Sequence, residues 1–249
     1  MRFLLFRLYA PLGSWGEVAV GAVRPSHAYP SRSALLGLIG AALGLRRDAE
    51  TWHVRLGAAL GFAVAVYEEG ALLRDYHTVQ VPGRSLLKRF QPATRADELA
   101  FPRSELNTIV STRDYWQDAL SVAGVWQKND DPDFSLERIA DALRRPHFVL
   151  YLGRKSCPPA LPLAPRIVEA EDFQAALAQA DFPPVEELRV ASRPRRIAGE
   201  APERIGAAVT FSVPRKDEPL SRRRWQFGDR IEYVALLAQA EAAAEEEAG

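Results

Sequence analysis

The chain has 249 residues, of which 47% are hydrophobic, and its 32 basic and 32 acidic side chains leave a formal net charge of zero. That length buries a sizeable core, while the charge balance excludes attraction of the whole molecule to nucleic acid or to an acidic membrane, so any such signal must be local. A single cysteine, Cys157, excludes a disulfide framework and a cysteine zinc cluster, and fits a reducing cytoplasm.

The first element is a strand, Arg2–Tyr9, a nearly continuous apolar run of the kind that fills the centre of a sheet. The N-terminal stretch is broken by Arg7, too short to span a membrane and without the long apolar core of a signal peptide. Pro11, Gly13 and Gly16 turn it into a loop carrying Ser14 and Trp15, followed by a connection with Arg24 and His27. The stretch Tyr29–Gly44 organises the rest. It reads as a buried helix with Ser31 as N-cap and Gly44 at its C-terminal end. Gly37, Ala41 and Gly44 are expected to let a sheet approach, and Arg32 and Ser33 sit at a helix start suited to an anion such as phosphate.

A surface turn (Arg46–Thr51), a short helix end (Arg55–Leu60) and a strand (Gly61–Tyr67) follow, and Ala71–Thr78 pairs back. From Val79 to Ser111 the pattern weakens into an arm broken by Pro82, Gly83, Pro92 and Pro102. Between Arg84 and Arg113 it carries six basic residues against three acidic, with Phe90 and Phe101 among them. Cations interleaved with rings suit a flexible polyanion. Asn107–Gln117 and Asp118–Trp126 resume the sheet, Ser135–Arg144 is an amphipathic helix capped by Ser135, and Phe148–Leu152 is expected to be the last strand of a first domain, with Arg154 and Lys155 in the turn behind it. The order strand, helix, strand, strand, arm, strand, helix, strand is that of an α+β, ferredoxin-like or RRM-like domain.

Pro158, Pro159, Pro162 and Pro165 mark a linker. Beyond it the expected elements are a helix at Ala170–Ala180 and strands near Val185–Ser192, Arg204–Val213 and Arg230–Leu237. They form a small, mainly β C-terminal domain, so that the boundaries are 1–155 and 156–249 with the insertion at about 79–111. Between Arg193 and Arg224 nine basic residues face four acidic, and the tail after Arg230 is acidic.

His27, His53, His77 and His147 show no metal-ligand spacing, and there is no Walker or GxSxG motif, so no metal or cofactor is expected. Tyr76 and His77, with a lysine such as Lys88, are the one set that could move protons in a metal-independent cleavage of RNA. Packing or binding at a strand end is the competing reading of the same pair.

Four stretches together resemble one family: FRLYAPLGSWG (6–16), RPSHAYPSRSALLGLIGAALGLRRD (24–48), DYHTV (75–79) with STRDYWQDA (111–119), and FVLYLGRKSCPPALP (148–162), supported by RKDEP (215–219) and RRRWQF (222–227). In that order they resemble CasD-type subunits of the type I-E CRISPR Cascade complex. The resemblance implies a RAMP-type palm with the arm as its thumb and a small C-terminal domain. It implies a non-catalytic, cytoplasmic, RNA-binding role in antiviral defence, free of membrane. Such a subunit binds the 5′ handle of the crRNA, caps the CasC backbone and neighbours the large subunit CasA, meeting target DNA only through the assembled complex. The RNA contacts expected on this basis are Ser14, Trp15, Arg24, His27, Arg32, Ser33, Tyr76, His77, Arg84, Lys88, Arg89, Arg113, Tyr115, Arg154 and Lys155. The alternative is an endoribonuclease that processes repeat RNA through Tyr76, His77 and Lys88.

Overall fold

The computed structural model describes residues 1–19, 21–183 and 193–237. A mixed α/β architecture is built on a seven-stranded sheet in the order Arg166–Glu169, Arg2–Tyr9, Leu120–Gln127, Leu60–Glu68, Arg196–Gly199, Gln226–Leu236, Phe211–Ser221. Every neighbouring pair is antiparallel. The first strand is buried along six consecutive residues because it lies inside this sheet with cover on both faces. Its alternating side chains feed two cores. Leu4, Phe6 and Leu8 pack with the helices Arg32–Ala42, Glu50–Ala59 and Leu136–Arg144, and Phe3 and Leu5 pack with Phe173, Ala176 and Ile205 on the other face. Among the described residues no helix is long and apolar enough to cross a membrane.

The organising helix starts where Ser31 accepts the Ala34 N–H. It stops in a Schellman turn, Leu45 N–H to Gly40 O at 2.8 Å and Gly44 N–H to Ala41 O at 3.2 Å, with Gly44 at φ +80°. Gly37, Ala41 and Gly44 were expected to let a sheet approach, but the two glycines face side chains instead. A Cβ on Gly37 would meet the Arg222 guanidinium at 3.4 Å, one on Gly40 the His53 ring, and one on Gly44 the His147 ring. They make room for polar side chains from neighbouring elements.

Two expectations are corrected. Phe148–Leu152 forms no strand: Phe148 N–H bonds to Ala41 O at the end of the organising helix, and Val149 is 83% exposed. The strand beside Arg2–Tyr9 is Arg166–Glu169. Nor does the chain divide at residue 155. Arg196–Gly199 is inserted between Leu60–Glu68 and Gln226–Leu236, so the C-terminal strands extend the first sheet rather than building a second domain. The expected strand at Arg204–Val213 begins instead at Phe211 and runs to Ser221, the helix near residue 170 spans Phe173–Gln179, and the strand expected at Val185–Ser192 lies outside the described residues.

The arm is more regular than its sequence suggests. Ala71–Pro82 and Leu106–Gln117 pair antiparallel over twelve residues each, a ribbon of about 40 Å. The irregular part shrinks to the tip, where Thr94 and Asp97 form a capping box and the Phe90 and Phe101 rings meet edge-on at 5.3 Å.

Candidate nucleic-acid interface

The helix start at Ser31–Ser33 is closed to an outside anion. Asp217 accepts the Arg32 N–H at 2.8 Å, so the chain supplies its own carboxylate at the positive end of the helix. The Arg32 side chain is only 4% exposed and donates to Glu200 at 2.7 Å, Glu218 at 2.9 Å and Gly57 O at 2.6 Å. Arg230 bridges Asp217 and Glu232, Tyr29 donates to Glu232, and Lys128 and Arg215 pair with Glu200 and Glu232. Arg32 was expected to hold RNA from the palm. It is instead the centre of a buried ion network, where a guanidinium taken from water needs carboxylate partners. Ser33 is tied in as well, its hydroxyl against Ser31 Oγ at 3.0 Å and its carbonyl accepting from Arg222.

His27 borders this network. Its ring meets Tyr29 edge-on at 4.3 Å, and burial together with the Arg215 charge pushes its pKa down to about 4. At neutral pH it carries no charge to offer a phosphate.

The root of the arm is different. Leu12–Gly13 pairs with Trp116–Gln117, and Val23–Arg24 runs parallel to Thr112–Arg113 on the arm's returning strand. Ser14 and Trp15 are buried at this joint. The Ser14 hydroxyl donates to Asp114 O at 3.0 Å, and the Trp15 N–H donates to Ser26 Oγ. Both side chains are thereby built into the joint that holds the arm. Gly153 sits so close that a Cβ would lie 1.6 Å from Ser14 O, and its φ of +86° also calls for glycine.

Register decides which side chains share a face. Asp75, Arg113 and Arg24 are cross-strand neighbours, as are Leu73 and Tyr115, and His77 and Ser111. Side chains alternate along a strand, so these project from one face. On that face the Arg154 guanidinium stacks over the Tyr115 ring at 4.6 Å and donates to Asp114 O and Arg24 O. Lys155 follows, exposed. Among the described residues none of Arg24, Arg113, Arg154 and Lys155 forms an ion pair, and the nearby carboxylate of Asp75 is held by His77. On the opposite face Asp114 is bound by Arg74 through two hydrogen bonds, which hold its carboxyl below the usual range.

Tyr76 and His77 therefore point to opposite faces, with Tyr76 65% exposed and paired with Thr112. Lys88 lies in the tip beyond Pro82. The three residues expected to cooperate in cleavage are not brought together. Arg84, Lys88 and Arg89 are exposed around the short helical turn at the tip, again without ion-pair partners among the described residues. The described residues hold no group of three or more His, Cys, Asp or Glu side chains suited to a metal ion.

Sequence reasoning missed the partners that sort these arginines: Asp217, Glu218, Glu200 and Glu232 around Arg32 and Arg230, and Asp114 with Arg74 on the arm. The RKDEP stretch, with its mixed signs on a strand, was the available signal for the first group.

The model of the family described as CRISPR-associated protein (Cas_Cas5) matches residues 3–231. The CRISPR system Cascade subunit CasD of Escherichia coli is 33% identical over 175 residues, which span 70% of this chain and 75% of that relative. A chain of a CRISPR RNA-guided surveillance complex is similar with a TM-score of 0.65 at 30% identity, over 94% of this chain and 89% of its own length. A crystal structure of a Cas protein matches with a TM-score of 0.58 at 25% identity, over 95% of both chains.

Proposed function

Since this chain belongs to the CRISPR-associated protein family whose model covers residues 3–231, we propose that it is a non-catalytic subunit of a Cascade-type surveillance complex that grips the 5′ handle of the crRNA at the root of its arm. The observation that carries this reading is the sorting of cations. Palm arginines meet buried carboxylates. Arg24, Arg113 and Arg154 gather on one face of the arm root beside Tyr115, with the exposed Lys155 next in the chain, and in this reading they are left to pair with phosphate.

The strands Arg166–Glu169, Arg2–Tyr9, Leu120–Gln127 and Leu60–Glu68 are the ferredoxin-like, RRM-like palm in this reading. The fourth, first, third and second of these strands in chain order lie side by side, and the helices Arg32–Ala42 and Leu136–Arg144 pack on one face together with Glu50–Ala59. The ribbon is its thumb. Arg84, Lys88 and Arg89 at the tip follow the RNA outward against a CasC backbone subunit, which the chain caps, and the large subunit CasA is seated nearby. Target DNA is met only in the assembled complex. The endoribonuclease alternative has nothing to favour it, because Tyr76 and His77 diverge.

The test compares handle RNA binding by the wild type and by the combined variant Arg24→Ala, Arg113→Ala, Lys155→Ala across several salt concentrations. Loss of three single-strand phosphate contacts shrinks the slope of log K against log salt by roughly two. An unchanged slope in a folded variant moves the RNA away from the arm root.

A further inference from the structure

The arginine-rich stretch from Arg193 to Arg224 is not uniformly neutralised. Arg195 and Arg196 pair with Glu68 and Glu69, Arg215 reaches Glu232, and Arg222 is buried against Ser33 O at 2.6 Å. Arg193, Arg204 and Lys216 form no ion pair among the described residues but lie apart along the chain, and the unpaired cations that sit together with a ring are in the turn of the C-terminal hairpin. There Arg223 and Arg224 are exposed, and Arg47 from the loop after the organising helix lays its guanidinium over the Trp225 ring at 4.8 Å. The nearby carboxylates are engaged: Asp48 pairs with Arg46, and Glu50 accepts the Arg223 backbone N–H at 3.0 Å. Arg47, Arg223 and Arg224 form no ion pair among the described residues.

Trp225 is 57% exposed and sits at φ +57°. A bulky residue in the left-handed region is uncommon and needs its surroundings to hold it. Arg222 anchors the turn from below, Arg47 covers one side of the ring, and Phe227 meets it edge-on at 5.4 Å. The ring is thus fixed in place with surface left open to solvent, beside three cations. This is the pairing that single-stranded nucleic acid uses: phosphates on guanidinium groups and an unstacked base on an aromatic ring.

We propose that the Arg47–Arg223–Arg224–Trp225 cluster is a second binding site for single-stranded nucleic acid, separate from the arm. The sheet register sets the separation. Arg196 lies level with both Val66, near the arm root, and Leu236. The hairpin turn begins at the other end of the eleven-residue strand Gln226–Leu236, about 35 Å along the sheet. A strand gripped at the arm root reaches this cluster only by crossing the sheet, so the site takes either a distant part of the same strand or a different one. The inference rests on the reading of the chain as a nucleic-acid-binding subunit.

The test uses the full chain with fluorescent single strands of deoxythymidine or uridine of about 16 nucleotides, titrated at several salt concentrations. The variant Arg47→Gln, Arg223→Gln, Arg224→Gln lowers the salt slope by roughly two. Trp225→Leu weakens binding roughly tenfold and leaves the slope unchanged. The deoxyribose and ribose strands decide which sugar the site prefers. Melting temperatures are recorded for each variant, and lysine in place of the three arginines restores the slope. The arm-root variant is titrated in parallel. If it alone alters binding, the second site is refuted and the arm reading stands; if the hairpin variants alone alter binding, the second site stands and the arm reading falls. Wild-type affinity and slope in a folded hairpin variant overturn the inference, as does a loss confined to binding of an acidic protein partner.

Discussion

The start of the helix Arg32–Ala42 and the root of the arm are both rich in arginine, and the chain uses the two sets in opposite ways. Arg32 is buried with Glu200, Glu218 and Asp217 around it. Arg24 and Arg154 lie at a surface joint where they donate to carbonyls and Arg154 covers one ring, and the carboxylate across from Arg113, Asp75, is held by His77. A backbone carbonyl orients a guanidinium without cancelling its charge, whereas a carboxylate cancels it. The same residue type is therefore structural where acid meets it and available to a polyanion where only dipoles do.

The largest effect comes from breaking the first set. Arg32→Ala leaves the mostly buried Glu200 with Lys128 as its one ion-pair partner and the half-buried Glu218 with none among the described residues, and lowers stability by about 3 kcal/mol, read from urea unfolding. A loss under about 1 kcal/mol with the fold intact would show that water replaces the guanidinium easily, and the contrast between the regions would weaken. RNA affinity per folded molecule stays unchanged in this variant.

Next comes pH. The folded chain holds His27 near pKa 4, against 6.5 for an ordinary histidine. Well above pH 6.5 the ring is neutral in both states and contributes no pH dependence. As pH falls from 6.5 to 4 the unfolded chain takes up a proton that the folded chain refuses, so stability drops, by roughly 3 kcal/mol at full extent. His27→Gln removes that part of the slope. Parallel unfolding curves for the two proteins over this range would contradict burial of a neutral ring.

The smallest effect is expected on the ribbon. His77→Ala and Tyr76→Phe change stability by less than about 0.5 kcal/mol each and leave precursor RNA the same length after incubation without metal. Cleavage by the wild type that is lost in His77→Ala would restore the endoribonuclease reading.

Much of the main sheet and its helices was legible because the signals are local. The continuous apolar run of the first strand, the Ser31 and Ser135 caps and the amphipathic helix Leu136–Arg144 are set by residues within a few positions of one another. The strand Arg166–Glu169 was not legible, since four residues after a proline-rich stretch carry no period. Phe148–Leu152 misled because a short apolar run does not distinguish a strand from an exposed loop. The closed helix start was hidden for another reason: Asp217 lies 185 positions from Arg32, and only the fold brings them together. The divergence of Tyr76 and His77 was available in the sequence, because adjacent residues on a strand face opposite ways.

The claim that the arm root and not the helix start holds RNA is tested most directly by ultraviolet crosslinking of the full chain to handle RNA, with the attached peptides identified by mass spectrometry. Crosslinks to peptides containing Arg24, Arg113–Tyr115 and Arg154–Lys155, with none to Pro30–Leu36, are the predicted result. Crosslinks concentrated on Pro30–Leu36 with none at the arm root would contradict it.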